Sequence, residues 1–162
     1  MNPTANKSDF EDLTTNLRDL AYSYLEKYSP SKQQLKVHLL KKYLTKIKGT
    51  KSKKEVTAII DEIISGLEKN KILDDELYSD SKARMFLRRG YSLNKINQSL
   101  RNKGIDNKYI KQSIDKIKED EIEPDFVSAL KLCKRRRIGP LRPGANRELF
   151  YKKDMGILAR GG

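Results

Sequence analysis

Apolar residues recur along this chain at steps of three and four, the period of one helix face. The first stripe begins at Phe10 and continues through Leu13, Leu17, Leu20, Ala21, Tyr24 and Leu25 to Tyr28. Ser29 and Pro30 stop that helix, and Ser31 can cap a second one whose stripe is Leu35, Leu39, Leu40 and Tyr43, ending near Gly49. Lys48 to Lys54 reads as an exposed basic loop, and Val56, Ile59, Ile60, Ile63, Ile64 and Leu67 then predict a third helix. Carboxylates at Asp74, Asp75 and Glu76 mark the start of a fourth, where they can accept its unpaired N–H groups. It runs to about Arg89. Gly90 supplies a left-handed terminus, and Ser92 or Asn94 caps a fifth helix carrying Leu93, Ile96 and Leu100, which Gly104 ends. Asp106 opens a sixth through Ile110, Ile114 and Ile117, and Pro124 suits the first turn of a seventh carrying Phe126, Ala129, Leu130 and Cys133. After breaks at Gly139-Pro140 and Pro143-Gly144, an eighth follows from about Asn146 through Leu149, Phe150, Ile157 and Leu158.

These stripes repeat. Leu35 and Leu39 fall on Ile96 and Leu100 at an offset of 61, while Val56, Ile60 and Ile63 fall on Ile110, Ile114 and Ile117 at an offset of 54. The difference is an insertion, the basic loop, in the first copy of a duplicated three-helix module. Leu158 and Gly162 match Leu100 and Gly104 at an offset of 58, so a third module would lack its last helix. The expected organisation is a flexible lead-in over 1–9, a first repeat over 10–72 with its basic insertion at about 47–54, a second over 73–122 and a third over 123–162. The fold class is all-α, in tandem three-helix repeats.

Composition changes this picture in one respect. Of 162 residues 36% are hydrophobic, 35% are charged and none is Trp, which suits small units that each bury one stripe, and hence an elongated molecule, better than a single deep core. The one Cys excludes an internal disulfide and fits a reducing cytoplasm, and no apolar run approaches the roughly 18 residues of a membrane span. A soluble, cytoplasmic monomer is expected.

The net charge of +13 predicts a polyanionic or acidic partner, and its distribution is uneven. Lys32, Lys36, Lys41, Lys42, Lys46 and Lys48 occur without a carboxylate among them. Arg88, Arg89, Lys95, Arg101, Lys103, Lys108 and Lys111 surround only Asp106. Lys131, Lys134, Arg135, Arg136, Arg137, Arg142, Arg147, Lys152 and Lys153 face only Glu148. If modules stack in similar orientation, these second helices form one positive stripe, suited to phosphates or to an acidic protein surface; a merely solvated face is the plain alternative. Arginine at 135 to 137 suits forked contacts with phosphate or carboxylate.

Catalytic chemistry finds no foothold. His38 and Cys133 are single residues of their kind, so neither a His pair nor a zinc set exists, and no glycine-rich phosphate loop occurs. Cys133 on an apolar stripe reads as packing, and Tyr91, Tyr109 and Tyr151 read as packing before base stacking. No cofactor, metal or enzymatic activity is expected.

Ile72 to Tyr78, Phe86 to Tyr91 and Leu100 to Ile105 resemble, in order and spacing, consecutive landmarks of the RecX family of recombination regulators. Arg135 to Arg142 and Leu158 to Gly162 are similar to that family's third unit, and the likeness extends from about Ala21 onward. The resemblance implies a curved, right-handed solenoid lying in the groove of a RecA–DNA filament, inhibiting ATP hydrolysis and strand exchange. The residues expected to touch filament or DNA are Lys32, Lys36, Arg88, Arg89, Lys95, Arg101, Lys103, Arg135, Arg136, Arg137, Arg142 and Arg147. Weak, non-specific contact with single- or double-stranded DNA is expected alongside the filament, and the alternative reading is a helical protein that binds DNA directly and acts without RecA, with high affinity or sequence preference as its mark.

Overall fold

The computed structural model describes residues 3–47 and 52–162, with backbone alone for 3–10, 46 and 47. The described residues form eight α-helices and no strand. They are α1 (Pro3–Lys27), α2 (Lys32–Lys42), α3 (Lys53–Lys69), α4 (Asp75–Arg88), α5 (Leu93–Arg101), α6 (Asn107–Asp120), α7 (Pro124–Arg136) and α8 (Arg147–Gly161). Two compact units divide between Tyr78 and Ser79, within α4.

In the first unit the predicted stripes meet. Leu13, Leu17 and Ala21 of α1, Leu35 and Leu39 of α2, and Val56, Ile59, Ile60, Ile63, Ile64 and Leu67 of α3 form one core with Tyr43 and Leu73. Each large side chain withdrawn from water contributes about 1.5–3 kcal/mol. Helix α1 starts at Pro3, ahead of its apolar stripe, because periodicity reports only the packed part of a helix, and Pro fits a first turn. Ser31 caps α2 reciprocally: its hydroxyl accepts from the Gln34 N–H, and the Gln34 side chain accepts from the Ser31 N–H. Past Lys42 the chain continues as a π-helical turn, Tyr43–Ile47.

The basic loop is shorter than expected. Lys48 to Lys51 lie outside the described residues, but Ser52 caps α3 and Lys53 and Lys54 belong to its first turn. The signature was present in the sequence: Ser52 and Glu55 form a capping box that the run of lysines obscured.

The second unit is built on Ile96 and Leu100 of α5 and Ile110, Ile114 and Ile117 of α6, all buried as predicted, with Leu132 of α7 and Ile138 after it. Ser92, not Asn94, caps α5, and Asp106 caps α6. Between α4 and α6, Ser113 donates to Asp80 Oδ1 at 2.6 Å, so the Ser79 hydroxyl, also buried, is left to donate to the Tyr109 carbonyl at 3.2 Å.

One long-range feature recurs in both units. Asp74 caps its own helix, accepting from the Leu77 N–H, but the buried Asp75 beside it accepts from the Lys32 N–H at the start of α2. In the second unit, Asp125 in the first turn of α7 accepts from the Leu93 N–H at the start of α5. Each second helix is thus capped twice, by its own serine and by an aspartate from the helix that opens the next group.

Candidate interaction surface

The basic residues named from sequence fall into three kinds of environment. Two of the four α2 lysines are balanced by acids on α3: Lys32 Nζ lies 2.8 Å from Glu68 Oε1, and Lys36 Nζ pairs with Asp61 Oδ1. Reading α2 alone, without a carboxylate, overlooked the helix packed beside it. The pairs are half-exposed and contribute little to stability, yet they halve the field that α2 presents.

A second group is built into the fold. Asp154, buried on α8, receives Arg142 Nε and Nη2, each at 2.7 Å, in a forked pair, and the Gly139 N–H at 2.9 Å. The Arg142 guanidinium also lies 4.4 Å from the Phe150 ring centroid. The Arg142 hydrogen bond, then the Gly139 N–H, hold the Asp154 carboxyl down at about 2, outweighing burial. Arg147 donates to the carbonyls of Pro140 and Arg142 at 2.8 and 3.2 Å. These two arginines clasp the 139–147 connection onto α8. Sequence reasoning missed the clasp, because at the offset of 58 read from the sequence Asp154 falls on Ile96, where an apolar residue is expected.

The third group faces water. Arg88 and Arg89 at the end of α4, Arg101 at the end of α5, and Arg135, Arg136 and Arg137 at the end of α7 are exposed, and among the described residues none of them makes an ion pair. Lys95 and Arg101, with Asn94, Asn97 and Gln98, line an open recess of about 390 Å³. Lys103 is half-buried near the end of α5. Arg137 adopts φ 51°, in the left-handed region, where its N–H and that of Ile138 close α7 on the carbonyls of Lys134 and Cys133.

His38 stacks on Tyr24 with ring centroids 3.9 Å apart, and its pKa is lowered by burial and by Lys42 and Lys41. Tyr91 packs against Phe86, whereas Tyr151 is exposed. Among the described residues no group of three His, Cys, Asp or Glu could hold a metal ion, and no helix is long and apolar enough to cross a membrane.

No family model and no solved structure matches the chain. The regulatory protein RecX of Myxococcus xanthus (strain DK1622) is 32% identical over 151 residues, covering 91% of this chain and 79% of that one. The chain belongs to the RecX family. The segments resembling RecX landmarks are its helix ends. Ile72 to Tyr78 enters α4, Phe86 to Tyr91 closes it, and Leu100 to Ile105 closes α5. Arg135 to Arg142 spans the end of α7 and the clasped connection. In this RecX-family chain the exposed arginines at positions 88, 89, 101 and 135 to 137 all sit in the last turns of helices or on the residue directly after them, where a cation also complements the helix dipole.

Proposed function

We propose that this chain is a non-catalytic regulator that acts in the cytoplasm on the RecA recombinase, binding the groove of the RecA–DNA filament and inhibiting ATP hydrolysis and strand exchange. The relationship to a protein named regulatory protein RecX, extending over nearly the whole chain, carries this reading. In it the three-helix repeats stack as a right-handed solenoid. The contact residues are the exposed cations Arg88, Arg89, Lys95, Arg101, Lys103, Arg135, Arg136 and Arg137, with Lys32 and Lys36 contributing once released from Glu68 and Asp61.

Arg137 supports this assignment on energetic grounds. A left-handed residue with a side chain costs about 1 kcal/mol; the helix ends at positions 90 and 104 use glycine, whereas those at 71 and 137 carry lysine and arginine. A guanidinium kept where glycine would be unstrained suggests that the side chain itself is used.

The test is the DNA-dependent ATPase rate of RecA titrated with this protein. The rate should fall, and a variant with Arg135, Arg136 and Arg137 changed to Glu should require at least about 10-fold more protein, since each directional contact with phosphate or carboxylate is worth roughly 1 kcal/mol or more. An unchanged rate with the native chain overturns the proposal. Tight binding to bare DNA in a gel shift, equal with and without RecA, favours direct DNA binding instead.

A further inference from the structure

Helix α7 buries one face and leaves the other bare. Ser128 and Leu132 are 1% and 4% exposed, whereas Phe126 and Leu130, one turn apart on the opposite side, are 61% and 44% exposed. The chain next to this face has a charge at each end. Glu123 precedes Phe126 at the helix N-cap and Lys134 follows Leu130 by one turn; both are exposed, and among the described residues neither makes an ion pair. Glu123 makes no side-chain capping bond either. The face therefore reads acid, Phe, Leu, base over about 16 Å of helix.

That order is complementary to itself when reversed. In an antiparallel pair of α7 helices, Phe126 of each lies opposite Leu130 of the other, and Glu123 of each lies opposite Lys134 of the other. The midpoint between positions 126 and 130 differs from that between 123 and 134 by half a residue, or about 0.75 Å along the axis. One two-fold axis therefore serves both the apolar and the ionic pairs, as an isologous interface requires. A parallel pairing would set Glu123 on Glu123 and Lys134 on Lys134. Nucleic acid fits this face poorly, because Glu119 and Glu123 repel phosphate at its N-terminal end. A uniformly acidic helix would meet the same repulsion.

We infer that α7 is a self-association face, through which two copies of this chain pair antiparallel on Phe126 and Leu130 with reciprocal Glu123–Lys134 contacts. The inference stands apart from RecA binding. Four apolar side chains and their rims bury less than the roughly 1,200 Å² of a standard stable interface, so the dimer is weak, with a dissociation constant on the order of 100 µM. Well below that concentration the chain is the monomer expected from its sequence.

Sedimentation equilibrium of the full chain alone, from about 5 to 500 µM, tests this. The average mass should rise from that of one chain toward two. Glu123→Lys and Lys134→Glu should each weaken association by about 10-fold, since each sets like charges together at both ends of the interface. The double variant Glu123→Lys/Lys134→Glu restores opposite pairing and should recover the native constant to within about 2-fold. A chain that stays monomeric throughout overturns the inference and leaves the face to a different partner. Association that ignores the single changes, or that the double change does not restore, overturns it equally.

Discussion

Gly90 offers the sharpest test of how the second unit is packed. It closes α4 at φ 78°, and a Cβ added there would stand 2.7 Å from the Ser128 carbonyl oxygen, 2.8 Å from the Leu132 nitrogen and 2.9 Å from Leu132 Cβ. The first two are backbone atoms of α7, which cannot turn aside as a side chain can. Left-handed backbone costs an L-residue about 1 kcal/mol, and pushing a packed helix away costs about 1–3 kcal/mol more. Gly90→Ala should therefore lower stability by about 2–4 kcal/mol, a large share of the 5–15 kcal/mol typical of a folded domain. At about 2–4 °C per kcal/mol for a chain of this size, Tm should fall by roughly 5–15 °C. Gly66 in α3 is the matched control, since nothing lies within 4 Å of its added Cβ. Gly66→Ala should raise stability by about 0.5–1 kcal/mol through helix propensity alone. Urea unfolding followed by far-ultraviolet circular dichroism reads both. A Gly90→Ala chain within about 0.5 kcal/mol of the native one would mean that α7 does not rest on the turn after α4.

Arg137→Gly should leave stability equal or slightly higher by removing left-handed strain, while weakening inhibition of the RecA ATPase; a loss of stability above about 1 kcal/mol would refute the strain argument. Asp75→Ala should cost about 1–3 kcal/mol by stranding the Lys32 N–H, and Asp125→Ala, at a more exposed cap, about 0.5–1 kcal/mol, both read by urea unfolding; equal and negligible losses would deny the double cap. Acid should discriminate between carboxylates. The Asp154 value of about 2 lies below its ordinary 3.8, so its contribution is present above that ordinary value and is lost as pH falls toward 2. Asp80 acts in the same direction, because hydrogen bonds from Lys116 and Ser113 outweigh its burial. Asp75 acts oppositely, since burial raises its pKa and protonation favours the folded state as pH falls through that raised value. Asp154→Asn should flatten the dependence of unfolding on pH between about 4 and 2, and an unaltered slope would rule out the clasp as its source.

What the sequence revealed and what it concealed divide by range. Stripes such as Val56 to Leu67, and local caps such as Ser31, Ser92 and Asp106, depend on residues two to four positions apart, so periodicity and cap chemistry located them. The contacts that decide which cations face water join residues far apart in the chain. Lys36 meets Asp61, Lys32 meets Glu68, and Arg142 meets Asp154 across the turn that begins at Pro143. A run of lysines without neighbouring acids therefore looks the same whether a second helix neutralises it or not. Packing alone separates the paired lysines of α2 from the arginines that close α4, α5 and α7.

That separation bears on how the two units come to present charge differently. The first unit keeps an aliphatic core through three helices and neutralises the start of its second helix. In the last helix pair a buried carboxylate takes the register position of Ile96, and the arginine it holds secures a connection that begins directly after Arg135, Arg136 and Arg137. The ion pair that replaces aliphatic packing thus also anchors the segment carrying the densest exposed charge. Because a forked Arg–carboxylate pair is directional where aliphatic packing is not, this arrangement fixes the course of the chain after α7. On this reasoning Arg142 serves recognition indirectly, by orienting Arg135 to Arg137. Arg142→Lys, which keeps the charge but loses the fork, should then weaken filament inhibition in the ATPase titration, whereas inhibition equal to that of the native chain would show that charge alone suffices at this position.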